Sequence, residues 1–186
     1  MGYILASKSP RRHAYLTEMG IPYTVLTAET DETLAAGVHP REGVVILAER
    51  KARAVADLAC AGETVIAADT LVELDGKPLG KPRDEAEAAE MLRALSGKAH
   101  RVHTGVAVWR QGRLLSAVDT TAVHFRPLSD EEIREYIASG EPLDKAGAYG
   151  IQGLASAFVS KIEGNFDTVV GLPCALLQEM LSEIEP

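Results

Sequence analysis

Thr64-Val65-Ile66-Ala67-Ala68 is an almost wholly apolar run that meets the polar pair Asp69-Thr70. A strand of that kind has no face suited to water, so it belongs inside a sheet covered on both sides. Two shorter strands precede it, Tyr3 to Ala6 and Tyr23 to Leu26, with a helix between them that ends near Met19 and has Gly20 as its C′ residue. A long amphipathic helix is predicted from Pro40, because Val44, Val45, Ala48, Ala52, Val55 and Leu58 recur at three- and four-residue steps. We expect the apolar strand to stop at Asp69-Thr70. Leu71 to Leu74, the Asp75-Gly76 pair and Lys77-Pro78-Leu79 then predict a β-hairpin. Asp84 with Glu87 opens a helix to about Ser96, closed by Gly97, and Ser129 with Glu132 opens a shorter one ending at Gly140. Between them, Val102 to Trp109 and Leu114 to Phe125 are long strands joined at Gln111-Gly112. The alternation predicts an α/β fold with a mixed sheet, and the hairpins argue against a purely parallel, doubly wound one.

With 186 residues, 46% of them hydrophobic and 25% charged, the chain can bury an ordinary globular core, and we expect one domain over residues 1–186. A net charge of −8 argues against nucleic acid or an anionic membrane as partner. No apolar run reaches the ~20 residues that span a bilayer, and Met1 to Ala6 is too short for a signal peptide. Cys60 and Cys174 match no metal or redox spacing and are expected to be buried in a reducing cytoplasm. No two of the five histidines form a metal pair at helical spacing, and His100 and His103 are expected to decorate a strand.

Against that acidic background, local clusters of positive charge are informative. Ser9 stands where it can cap a helix with Pro10 at its first position. Free amides at such a helix start attract phosphate, and Arg11 and Arg12 sit in that first turn, where the helix dipole repels cations. A polyanion between the arginines and the amides would reconcile the two. Asp69, at the expected end of a buried strand, can hold a divalent cation or take a proton from water. Lys81 in Gly80-Lys81-Pro82-Arg83 could return beside it, Lys51 lies mid-helix among charged neighbours, and Asp31-Glu32 could add carboxylates or form a polar loop. In Lys145 to Gly153, glycines at every third position allow positive φ and close approach to a ligand. Their spacing is neither that of a dinucleotide-binding turn nor that of a Walker loop. Gln152 within it can donate and accept at once, which suits the edge of a base.

Together these segments resemble one family, the Maf (septum formation protein) family of nucleoside triphosphate pyrophosphatases. The resemblance runs from Ile4 to about Pro173 and rests on Leu5 to Arg12, Glu49-Arg50-Lys51-Ala52, Ala68-Asp69-Thr70, Gly80-Lys81-Pro82, Leu95-Ser96-Gly97, Asp144 to Gly153 and Gly171-Leu172-Pro173. It implies an elongated α/β fold similar to inosine triphosphate pyrophosphatases, with two lobes around a cleft, and cytoplasmic homodimers that use a divalent metal, Mg or Mn. Carried over residue by residue, it implies Asp69 as proton acceptor. Phosphate and metal positions fall on Ser7, Arg12, Glu32, Lys51 and Lys81, so that Lys51 and Lys81 join Asp69 in catalysis and Glu32 joins it at a metal. Base preference falls on Arg11, Thr70 and Gln152. Arg-Arg after Ser-Pro, Asp-Thr and Ala-Tyr-Gly-Ile-Gln-Gly mark the branch that prefers dTTP and UTP, whereas the 7-methyl-GTP branch has Trp in place of Arg11. The expected activity is cleavage of these nucleotides, and of modified pyrimidine nucleotides, to monophosphate and pyrophosphate. A non-catalytic regulator of cell division is the rival reading, and the intact set of Asp69, Lys51, Lys81 and Glu32 counts against it.

Overall fold

The computed structural model describes residues 2–185. The chain begins with β1 (Tyr3–Leu5), α1 (Pro10–Glu18), β2 (Tyr23–Val25) and α2 (Pro40–Ala56), then enters β3 (Thr64–Leu74) and its hairpin partner β4 (Lys77–Leu79). There follow α3 (Glu85–Leu95), the paired β5 (Ala99–Arg110) and β6 (Arg113–Phe125), α4 (Asp130–Ala138), β7 (Val159–Glu163), α5 (Phe166–Val170) and α6 (Cys174–Ile184). Seven strands form one open sheet in the order β2-β1-β3-β5-β6-β7, with β4 added to β3. β1 is parallel to β2 and β3, and the other pairings are antiparallel, so the sheet is mixed as expected.

The apolar run is buried on both faces. Ile66 and Ala68, with Leu5, Val106 and Val108, pack beneath Leu16 of α1 and Leu177 and Leu181 of α6. On the opposite face Val65 and Ala67, with Ile4, Ala6 and Ala107, pack against Ala48, Ala52 and Val55 of α2. Farther along the same long strands, Val72, Val102, Val123 and Phe125 join α3, α4 and residues 148–158 in another core. Three strands are thus shared by two lobes.

β3 does not stop at Asp69-Thr70 as expected from the change to polar residues. Its pairing with β5 is continuous from Thr64–Arg110 to Glu73–Arg101, so Asp69 and Thr70 stay in the ladder midway along the strand, at the join between the lobes. α2 also ends earlier than its apolar pattern suggests. Val45 is only half-buried, and Leu58, two residues past Ala56, is 58% exposed. Leu47 and Gly43 take their places on the buried face. Cys60 is exposed in the turn after α2, where its N–H donates to Glu63 Oε2 at 2.7 Å, and Cys174 is half-buried with its thiol pushed up to about 11 by burial and then by Asp167. The hairpin turns lie where expected, and the Ser129–Glu132 capping box forms. Asp84 accepts from the Glu87 N–H, while the Glu87 carboxylate reaches the N–H of Arg83, one residue earlier than a capping box requires. No helix among the described residues is long and apolar enough to cross a membrane.

Two features of this packing bear on the cleft. Gly105, opposite Asp69 on β5, lies under the backbone of α2, and a Cβ built there would sit 2.4 Å from the Val44 carbonyl oxygen. Only glycine allows the helix so close. Gly105→Ala should therefore destabilise the fold by about 1–3 kcal/mol, the usual range for overpacking, as read by chemical denaturation. His100 on β5 is buried, with Nε2 2.7 Å from the Tyr149 hydroxyl and its ring edge-on to Phe125. Burial lowers its pKa from 6.5 to about 4. Between those values the unfolded chain binds a proton that the folded chain refuses. Stability from this group should fall as pH drops from about 6.5 to about 4, by up to about 3 kcal/mol, and level off below. Denaturation of the wild type and His100→Gln across that range reads it: the variant should lose this part of the acid slope.

Candidate active site

A cleft of about 1450 Å³ lies between the lobes. It is lined by the segment after β1, the loop after β2, Lys51 of α2, the middle of β3, Gly80-Lys81 and the glycine-rich segment near residue 150. The residues to which the family resemblance gives a role, Ser7, Arg11, Arg12, Glu32, Lys51, Asp69, Thr70, Lys81 and Gln152, all line it.

At its floor the Lys51 ammonium bonds Asp69 Oδ1 and lies 2.8 Å from Glu32 Oε1. The geometry follows from periodicity: Lys51 stands one turn after Leu47 and two after Val44 on the buried face of α2, so it points at the sheet where Asp69 emerges. Glu32 comes from a loop without regular structure, which Arg50 holds by donating from Nη1 to the carbonyls of Asp31, at 2.9 Å, and Thr33, at 2.7 Å. Asp31 itself turns away and accepts the Thr33 N–H, so the two carboxylates of Asp31-Glu32 have separate tasks. The hydrogen bond from Lys51 holds the Glu32 carboxyl below its ordinary pKa against the opposing effect of burial, and the charges of Lys51, Lys81 and Arg12 add to it. Lys81 is exposed at the rim and makes no ion pair among the described residues.

Arg12 is held from three sides. Its Nε donates to the Gly171 carbonyl at 2.8 Å, Nη1 to Ser7 Oγ at 3.2 Å and Nη2 to Thr70 Oγ1 at 3.2 Å. Burial pulls its pKa below the ordinary value, and the Asp69 charge opposes that shift. Ser9 occupies the N-cap position of α1, but its side chain makes no cap; Ser7 Oγ instead accepts the Ser9 N–H at 3.2 Å. The first turn of α1 therefore has neither a side-chain cap nor an acidic residue, and it opens on the cleft beside Arg11 and Arg12.

The glycine-rich segment follows one short 3-10 turn, Glu141–Asp144, and contains another, Ala146–Ala148. Of its three glycines only Gly147 has positive φ, and Ala148 shares that conformation. Gly150 and Gly153 serve close approach instead: a Cβ on Gly153 would lie 2.1 Å from Glu141 Oε1. Glu141 accepts from the Tyr136 hydroxyl at 2.9 Å and the Leu154 N–H at 3.1 Å, which fastens the loop from beneath. Gln152 is exposed in the cleft, and its amide makes no hydrogen bond among the described residues. The Gly147 N–H donates to the Gly80 carbonyl at 3.0 Å, so this segment is tied to the loop that carries Lys81.

The donor set suits a hard cation that arrives with phosphate. Glu32 and Asp69 converge on the Lys51 ammonium, and beside it they could hold such a cation, since Mg or Mn is commonly bound by one or two carboxylates together with substrate oxygens. No cluster of three or more His, Cys, Asp and Glu among the described residues forms an all-protein cage. Sequence patterns did not single out Glu141, Gly171 in contact with Arg12, or Thr104 behind Thr70. Gly171-Leu172-Pro173 was visible as a motif, but nothing near in sequence connects it with Arg12.

A family model described as Maf-like protein matches residues 2–184. The dTTP/UTP pyrophosphatase of Pelotomaculum thermopropionicum is 48% identical over 182 residues, with 97% of this chain and 95% of that one covered. That of Symbiobacterium thermophilum is 50% identical, with 97% and 92% covered, and that of an Anaeromyxobacter species 52% identical, with 96% and 87% covered. Among solved structures, the Staphylococcus aureus Ham1 protein matches with a TM-score of 0.53 at 15% identity, with 100% of both chains covered. A HAM1 protein from Coxiella burnetii gives 0.53 at 15%, with 98% of this chain and 99% of that one covered. At such identity the likeness is one of fold, and it agrees with the two-lobed mixed sheet expected from the sequence.

Proposed function

Because the chain belongs to the Maf family over nearly its whole length, we propose that its cleft hydrolyses dTTP and UTP between the α and β phosphates, releasing monophosphate and pyrophosphate. The observation that carries this reading is the meeting of Arg12, Lys51 and Lys81 with Asp69 and Glu32 in one cleft of a chain whose net charge is −8. Cations held in place at such a site stabilise charge that builds on the phosphate being cut and on the leaving pyrophosphate. Arg12 keeps N–H groups beyond the three it uses within the protein, and a guanidinium fork suits phosphate oxygens. The uncapped first turn of α1 adds backbone N–H groups on the same side.

Asp69 gives one oxygen to Lys51 and keeps the other for the proton of the attacking water. Lys51 holds that carboxylate aimed into the cleft. Glu32, with Asp69 beside it, would hold a divalent Mg or Mn ion. Such an ion supplies Lewis-acid neutralisation of the triphosphate.

Gln152 reads the base from the other lobe. Its carbonyl can accept the uracil or thymine N3–H and its NH₂ can donate to O4. Guanine has a similar edge, so exclusion of purines falls to the size of the pocket shaped by Arg11, Thr70 and the glycine-rich turn. Removal of unwanted or modified pyrimidine nucleotides is the use that this activity fits.

UTP or dTTP with Mg or Mn should yield monophosphate and pyrophosphate in equal amounts, and Asp69→Asn should lower turnover by at least roughly 10²-fold while remaining folded. Product analysis by ion-exchange chromatography decides the first point: diphosphate and free phosphate would refute the cleavage position. A variant with near-normal turnover would remove Asp69 from catalysis. For Gln152→Ala, specificity constants for UTP and GTP should move toward each other by ~10-fold, the worth of one polar contact. An unchanged ratio would take Gln152 out of base recognition.

A further inference from the structure

We infer that Thr104, a fully buried residue of β5 outside the cleft lining, is a positioning residue that holds Thr70 and Arg12 in their working places through a hydrogen-bond chain of fixed direction. The inference rests on the reading that Arg12 engages the triphosphate.

The direction follows from what each group can do. Thr104 Oγ1 donates to the Thr168 carbonyl at 2.7 Å, and a carbonyl can only accept. Thr104 has one hydroxyl hydrogen and has now used it. The 2.9 Å contact between Thr70 Oγ1 and Thr104 Oγ1 must then be a donation from Thr70. The Thr70 oxygen, its own hydrogen turned inward, receives the Arg12 Nη2 N–H at 3.2 Å, and a guanidinium can only donate. The order is Arg12 to Thr70 to Thr104 to the Thr168 carbonyl, and no member can be reversed. Bonds aligned in this way polarise one another.

Both ends return to the same stretch of chain. Arg12 Nε bonds the Gly171 carbonyl, three residues from Thr168, so the network closes into a ring through the end of α5. Gly171 has φ of +120°, and a Cβ there would lie 3.2 Å from Thr70 Oγ1, inside that ring. Asp119 fastens the far side by accepting from the Thr168 hydroxyl and from Asn165 Nδ2. One consequence concerns recognition: Thr70 has no proton to offer a ligand and presents only a lone pair to the cleft. Without the Thr104 hydroxyl, the Thr70 hydroxyl would turn freely and could direct its hydrogen at the guanidinium.

The test is a set of variants assayed for kcat and KM on UTP, with melting temperature recorded alongside. Thr104→Val preserves shape and removes the hydroxyl. It should lower kcat by about 10-fold, the size of one lost hydrogen bond, with KM changed far less. Thr104→Ser, which keeps the hydroxyl, should restore most of that loss. In a Thr70→Val background, Thr104→Val should have little further effect, because the two act through one chain. Normal turnover in Thr104→Val, or effects that simply add in the double variant, would overturn the inference. Thr104→Ala, which adds no atom, gives the same comparison if the valine variant does not fold. Arg12→Ala separates the two levels of the reading. If it leaves turnover intact, the phosphate role of Arg12 falls and this inference with it. If it is damaging while Thr104→Val is normal, only the inference falls.

Discussion

The ammonium of Lys51 between Asp69 and Glu32 is the contact on which the cleft depends. It joins three pieces of chain with no local reason to meet: the middle of a buried strand, one face of a long helix and an irregular loop. Lys51 and Asp69 are both largely shielded from water, whereas Glu32 is mostly exposed. A shielded charge left alone is far more unfavourable than one that is paired, so Lys51 and Asp69 each require the other. Close packing makes the pairing possible. α2 can lie near enough to β5 because Gly105 has no side chain, and the same closeness puts Lys51 over Asp69.

The charges of the cleft are arranged in two groups. Carboxylates and an ammonium share the floor, while Arg12 is held at the start of α1 by neutral partners, two hydroxyls and a carbonyl. Neutral partners orient a guanidinium without cancelling its charge, which leaves it available to an anion. Lys81 stands at the rim with its charge equally open. The molecule as a whole is acidic, so this local field is a property of placement and not of composition.

The second lobe supplies shape rather than charge. Its glycine-rich turn is bent around the Glu141 carboxylate, braced by Tyr136 and, through Tyr149, by the buried His100. The bond from Gly147 to Gly80 then ties the segment that carries Gln152 to the loop that carries Lys81. A ligand spanning the cleft would meet two regions held in register by backbone, which varies less than long side chains do.

Much of this was legible in the sequence because it depends on neighbours. The apolar run at 64–68 predicts a doubly covered strand, the periodicity that starts at Pro40 predicts α2, and Asp75-Gly76 and Gln111-Gly112 predict their turns. The Ser129–Glu132 box marks α4, and the family motifs include Lys51 and Asp69 at the cleft floor. Other features were hidden for physical reasons. β7 is a short edge strand with charged residues facing water, so its pattern is weak, and α5 is a single short turn. β3 runs on through Asp69-Thr70 because β5 supplies hydrogen bonds along its whole length, and a strand's end is decided by its partner as much as by its residues. The sequence by itself determined the element types from β1 to α4, the two-sided burial of the central strand and the stock of charged groups. Only the tertiary structure decided that Gly171 and the Thr70–Thr104 chain hold Arg12, and that Gly150 and Gly153 wrap Glu141. Each of those depends on a partner many residues away, and spacing along a chain carries no information about which distant group will fill a given hydrogen bond.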